Sequence, residues 1–185
     1  MQIIAMLTML VDHIGAVFYP DMLPWRIIGR IAFPIYAYLI VVGYRRTSDL
    51  KRYTLRLLAL AAVSQIPFML AFQTTGINVI GTLFVCILVL YGLDHWSKTL
   101  SIPATIVLSA FMELLDFDYG IYGLLLVLIY RYMSGHAMIG SHLALNLLFV
   151  VIKRWDVQIF SLLTTMGIVY FPQVYRYLER RMVPN

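Results

Sequence analysis

IIAMLTMLVDHIGAVFY (3–19) is a hydrophobic run whose one charged residue, Asp12, is followed directly by His13. A carboxylate at the centre of a membrane helix costs roughly 2.5 to 3.5 kcal/mol on insertion scales, so a residue kept there marks a candidate functional site. The bland alternative is a polar pair that glues helices together or reaches an interface. Working outward from LVDHIG (10–15), the question is which other residues of the chain meet this pair.

The whole chain shares the character of that first run. Of 185 residues, 62% are hydrophobic and 12% charged, and the mean hydropathy is +0.85. A soluble domain carries about 25% charged residues, and no stretch of about 100 residues here, a normal domain size, is polar enough to fold in water. The composition indicates a single integral membrane domain over 1–185. The first segment has no Lys or Arg before its apolar part and no small-residue cleavage site, so it is expected to stay as a helix. One cysteine, Cys86, excludes an internal disulfide and a cysteine metal cluster. The net charge of +5 reports topology in such a chain, not nucleic-acid binding.

Eight hydrophobic segments are expected, near 2–19, 27–44, 54–72, 79–95, 102–115, 119–133, 137–152 and 157–175. Together they define an all-α, polytopic helical bundle. The fifth and sixth are short for a span of about 20 residues and are expected to be tilted, re-entrant or joined by a tight turn. Pro34, Pro67 and Pro172 fall inside apolar runs and are expected to kink them. With eight spans, ten basic residues (Arg45, Arg46, Lys51, Arg52, Arg56, Lys98, Arg131, Arg176, Arg180 and Arg181) share one side, against Arg26, Arg30, Lys153 and Arg154 on the other. The excess of basic residues puts both termini in the cytoplasm.

That orientation assigns depth. Asp12, His13, Arg30, Gln65, Asn78, Glu113, Asp116 and Asp118 are all expected in the outer layer. Arg26 and Arg30 share a helix face, being four residues apart. Neighbours on a helix point about 100° apart, so Asp12 is poorly placed to orient His13, and Asp116 or Asp118 from another helix is the better candidate. His142 and Asn146, one turn apart near mid-membrane, either line a path through the bundle or hydrogen-bond between helices. Asp94 and His95 read as a solvated helix end. Arg45, Arg46, Lys51 and Arg52 are either the topology signal alone or a docking site for phosphates of an anionic lipid or an acyl-CoA. The chain has no GxSxG, HExxH, Walker or GxGxxG motif, and no metal is expected. Histidine among carboxylates suits general acid–base transfer.

Beyond composition, IAMLTMLVDHIGAVFYP (4–20) and LPWRIIGRIAFPIYAYLIVVGYRRT (23–47) resemble the N-terminal signature of the TraX family. Ser64 to Phe68 with Asn78, and DYGIYGLLLVLIY (118–130), resemble its later blocks. The family is named for an inner-membrane protein that acetylates the N-terminal amine of conjugative pilin. It is similar to transmembrane acyltransferases that take acetyl from cytoplasmic acetyl-CoA and modify extracytoplasmic sugars. The resemblance implies a bacterial inner-membrane acyltransferase with acetyl-CoA as donor and a pilin-like peptide, glycan or lipid as acceptor. By that resemblance Arg45, Arg46, Lys51 and Arg52 hold the phosphates of the donor, and His13 is the general base or an acyl relay. Arg30 or Asn78 stabilises the oxyanion, Asp12 orients the acceptor or holds Arg30, and Asp118 supports His13. Gln65, Glu113, Asp116, Tyr119, Tyr122, His142 and Asn146 complete the candidate binding set. Two non-enzymatic readings compete. A small proton-coupled transporter would use the same intramembrane Asp, His and Arg, although repeated halves are missing. A scaffold subunit would pair its buried charges with a partner's helix.

Overall fold

A computed structural model describes residues 2–19 and 22–173. These residues form nine α-helices and no strand: α1 (Gln2–Phe18), α2 (Leu23–Gly29), α3 (Ala32–Arg46), α4 (Leu50–Phe72), α5 (Val79–His95), α6 (Lys98–Leu114), α7 (Gly120–Tyr132), α8 (Gly135–Lys153) and α9 (Leu162–Tyr170). A 3-10 turn, Asp156–Ser161, precedes α9. Counting α2 with α3, and the 3-10 turn with α9, eight helical rods correspond to the eight hydrophobic segments. Three rods are long and apolar enough to cross a membrane: Leu23–Arg46, Leu50–Phe72 and Gly135–Lys153. The expected kink at Pro172 and the basic residues Arg176, Arg180 and Arg181 lie at or beyond the end of α9, the last three outside the described residues.

Helix boundaries follow from local chemistry. Proline lacks an N–H and its ring clashes with the carbonyl four residues earlier, which for Pro34 is that of Arg30. The second rod breaks there: the N–H of Arg30 bonds both Arg26 O and Ile27 O, and Ile31 N bonds Ile28 O at 3.2 Å. Asp49 caps α4 by accepting from Arg52 N at 2.9 Å, and Asn78 caps α5 by accepting from Ile80 N and Gly81 N. The fifth rod starts at Lys98, earlier than the expected 102, with Pro103 inside it. Pro103 is the sixth residue of α6, past the first N–H groups that lack internal partners, so the bond a residue there would make to Thr99 O is missing from the ladder.

The chain divides into two compact units, Met1–Leu39 with Ile129–Asn185, and Ile40–Leu128, and the division falls within α3 and α7. In the first unit α1 packs on α2, and α8 on α9 and the 3-10 turn, which also touches α2. Ala5 and Ile35 are buried together, with Ile31, Tyr36, Tyr38 and Leu39 against them. In the second unit α5 is the central helix, packed by α4 and α6. Its residues Cys86, Ile87, Val89 and Leu90 are almost wholly buried. By contrast α4 exposes Leu55, Leu58, Leu60, Val63, Ile66, Met69 and Leu70. A contiguous apolar face of that size is unfavourable in water and suits hydrocarbon.

Candidate functional site

In the first unit the site is built on the α1–α2 hairpin by two reciprocal glycine contacts. A Cβ on Gly15 would collide with the Cβ of Trp25, and a Cβ on Gly29 would collide with the side chain of Asp12. Glycine at these two positions lets the helices approach, as small residues do in membrane helix pairs. Asp12 is thereby set against α2. Its Oδ1 lies 3.1 Å from Arg26 Nη1 and 3.6 Å from Arg30 Nη2. The four-residue spacing of the two arginines aims both guanidiniums at one carboxylate. Arg30 Nη1 also donates to Gln158 Oε1 at 3.1 Å.

His13 faces a different partner. Its Nδ1 is 2.8 Å from the carbonyl oxygen of Met9. A carbonyl only accepts, so the neutral ring carries its proton on Nδ1 and its lone pair on Nε2. The main chain of α1, one turn back, therefore orients the ring; the carboxylates expected in that role from the sequence are Asp118 and Asp116. Those two carboxylates belong to the second unit.

A second polar cluster in the first unit is fully buried. His142 Nδ1 is 2.5 Å from Thr165 Oγ1, which is 2.6 Å from Tyr130 OH. His142 Nε2 is 3.1 Å from Ser161 Oγ, which accepts from Asn146 Nδ2 at 3.1 Å. Of the two readings of His142 and Asn146, hydrogen bonding between helices describes this geometry. Their partners Ser161 and Thr165, with Gln158 and Thr164, were missed from the sequence, where 157–175 reads as plain apolar. The available signal was the spacing: 158, 161 and 164 recur every three residues and 165 follows 161 by four, a polar stripe on one helix face.

In the second unit the candidate residues knit loops. Gln65 Nε2 donates to Gly76 O at 2.7 Å, and Gln65 Oε1 accepts from Asn78 N and Nδ2. Asn78 Nδ2 also donates to Ala61 O at 2.8 Å. Both amide hydrogens and the carbonyl oxygen of Asn78 are thus committed, which corrects its expected role at an oxyanion: it is a helix cap and loop clamp. Glu113 Oε1 accepts from Ile121 N at the start of α7, so Glu113 is a cap as well. Exposed Asp116 and half-buried Asp118 lie in a turn tied to Ile77 by backbone bonds, and Thr82 Oγ1 donates to Asp118 O. Tyr119 holds a left-handed φ of 63° in this turn, and Tyr122 is fully buried, their rings 6.1 Å apart. Asp94, expected at a solvated helix end, is exposed and accepts from Tyr44 OH at 3.0 Å.

Arg45 and Arg46 end α3, where the helix dipole favours cations. Lys51 and Arg52 start α4, where it disfavours them. A shallow groove of about 410 Å³ lies along this start, lined by Asp49, Lys51, Arg52, Leu55, Arg56 and Ala59. Arg56 thus joins the candidate set, while Arg45 and Arg46 lie outside its lining. Among the described residues no three His, Cys, Asp or Glu side chains gather to hold a metal ion.

An all-helical chain with three membrane-length apolar helices, an exposed apolar face and an arginine-clamped aspartate inside a helical hairpin is an integral membrane protein with a built polar site. The family model described as TraX protein matches residues 1–184, and the chain belongs to the TraX family. No curated protein and no solved structure matches it.

Proposed function

We propose that this protein is a multi-pass inner-membrane acetyltransferase, with eight spans and both termini in the cytoplasm. It moves acetyl from cytoplasmic acetyl-CoA to an amine or hydroxyl of an extracytoplasmic acceptor, a pilin-like peptide or a surface glycan or lipid. Membership of the TraX family supports a pilin-modifying role. The observation that carries the chemistry is the α1–α2 hairpin, where a histidine with its lone pair on Nε2 adjoins a carboxylate clamped by two guanidiniums.

In this reading His13 Nε2 takes the proton of the acceptor, whose nitrogen or oxygen attacks the thioester carbon. Arg30 donates to the oxyanion, a contribution worth about 10²–10³ in rate in such sites. The carbon–sulfur bond breaks, and the CoA thiolate leaves with the proton from His13. Asp12 holds Arg30 in place. Donor docking falls to the basic start of α4, where Lys51 and Arg52 in the first turn are placed against the helix dipole, a cost that a bound phosphate reverses, and where Arg56 lines the same groove one turn further on.

The test is to incubate detergent-purified protein with acetyl-CoA and follow binding and CoA release. Saturable binding by both wild type and His13→Ala, with release from wild type alone, is the expected result. Release by His13→Ala at the wild-type rate overturns the assignment of His13.

A further inference from the structure

The 3-10 turn Asp156–Ser161 carries two buried polar side chains, Gln158 and Ser161, three residues apart. That spacing puts them on one edge of a 3-10 helix. Gln158 faces Arg30, and Ser161 meets His142 and Asn146 of α8. Half a turn into α9, Thr164 Oγ1 donates to Ile31 O at 3.2 Å. One short segment therefore grips both residues of the α2–α3 break, Arg30 by its side chain and Ile31 by its carbonyl. The break is where Pro34 interrupts the backbone ladder, and a break in an apolar setting persists only where other groups satisfy its polar atoms.

Arg30 has a long, rotamer-rich stem, and Asp12 meets it at 3.6 Å, a looser contact than the 3.1 Å to Arg26. Gln158 Oε1 meets Arg30 at 3.1 Å. We propose that Gln158 is a positioning residue: it fixes the Arg30 guanidinium through Nη1, the terminal nitrogen that Asp12 leaves to it, and the Ser161–His142 pair locks the turn that carries it. This rests on the assignment of Arg30 to the transfer site.

The experiment compares purified wild type, Gln158→Ala, Gln158→Glu, Arg30→Ala and the double variant Arg30→Ala/Gln158→Ala by CoA release from acetyl-CoA and by thermal midpoint. Hydrogen bonds to charged groups are worth enough for about a tenfold effect or more. Gln158→Ala is expected to lower kcat about tenfold or more and leave KM for acetyl-CoA within about twofold. Gln158→Glu keeps an Oε1 acceptor at the same reach and is expected to recover to within about threefold. The double variant is expected to be no slower than Arg30→Ala, as for two residues acting through one contact. Wild-type kcat in Gln158→Ala, or effects that multiply in the double variant, overturn the inference. If wild type releases no CoA, the acyl-transfer reading fails by itself. The thermal midpoints then decide: non-additive shifts keep the Arg30–Gln158 coupling and additive shifts overturn it. Should Gln158→Ala not fold, Gln158→Met keeps the volume without the amide and serves the same comparison.

Discussion

Gly29→Ala isolates the geometry of the site from its chemistry, because it adds one methyl and removes no functional group. In an open helix position the change stabilises by roughly 0.5–1 kcal/mol, through the conformational freedom that glycine loses on folding. At residue 29 the new Cβ would run into the Cβ, Cγ and Oδ1 of Asp12, far inside the 3.4 Å at which ordinary contact begins. Rotating χ1 of Asp12 does not relieve a clash with its Cβ, so α1 and α2 must part. Overpacking of this kind costs about 1–3 kcal/mol, and the glycine term offsets part of it. The net loss expected is on the order of 1–2 kcal/mol, a fall in Tm of roughly 2–8 °C for a chain of this length. Activity should fall further. Parting the helices lengthens the contacts of Asp12 to Arg26 and Arg30, now 3.1 and 3.6 Å, and a misplacement of about 1 Å can cost about 10²-fold in rate. The assay is CoA release beside thermal unfolding in the same detergent. Gly140→Ala is the control, since a Cβ there meets nothing within 4 Å; it should keep full activity and a Tm equal to or above wild type. Wild-type turnover in Gly29→Ala would refute the claim that close approach of the hairpin sets the arginine–aspartate geometry.

Replacing Lys51, Arg52 and Arg56 together by Ala should raise KM for acetyl-CoA about tenfold or more, with kcat nearly unchanged and the effect shrinking at high salt, as for phosphate held by exposed cations; an unchanged KM removes donor docking from the start of α4. Asn78→Ala should lower stability by about 1–3 kcal/mol, because a helix cap is lost and buried partners go unbonded. Steady-state kinetics at a temperature where it stays folded should match wild type, and a large loss of kcat there would restore Asn78 as an oxyanion donor. Ser161→Ala should lower Tm and slow CoA release less than Gln158→Ala does, since it loosens the turn and leaves the Gln158–Arg30 contact in place; release slower than Gln158→Ala would give Ser161 a part of its own in the chemistry.

The sequence carries the α1–α2 hairpin almost completely. A charged residue in an apolar run, two arginines four apart and a proline four residues after the second are each local signals, and local signals survive in one dimension. The same habit misleads in the second unit. Asn78 and Glu113 attract attention as polar residues near membrane depth, yet each works by satisfying backbone N–H groups at a helix start. For Asn78 the N-cap pattern before an apolar helix was readable. For Glu113 it was not, because the helix it caps begins at Gly120, beyond an intervening turn with positive φ at Asp116 and Tyr119. His142 shows the opposite failure. Its partners Ser161 and Thr165 lie 19 and 23 residues away, and a run as apolar as 157–175 hides them by averaging.

Polar groups in this chain divide by what they are committed to. Asn78 has spent its side-chain hydrogens and Asn146 bonds Ser161, as buried polar groups in a low-dielectric setting must, while half-buried Gln65 and exposed Glu113 bond loop and helix-start groups. A side chain committed in this way holds the fold. The α1–α2 hairpin differs in kind. Its bonds gather charge: two guanidiniums face one carboxylate oxygen, and a main-chain carbonyl fixes the proton of His13 on Nδ1 so that basicity sits on Nε2. Stability alone does not call for this arrangement, because replacing a buried ion pair by well-packed apolar residues is often neutral or stabilising. The glycines at 15 and 29, which surrender side-chain packing to bring the hairpin together, make sense where the clamped charge is itself the product of the fold.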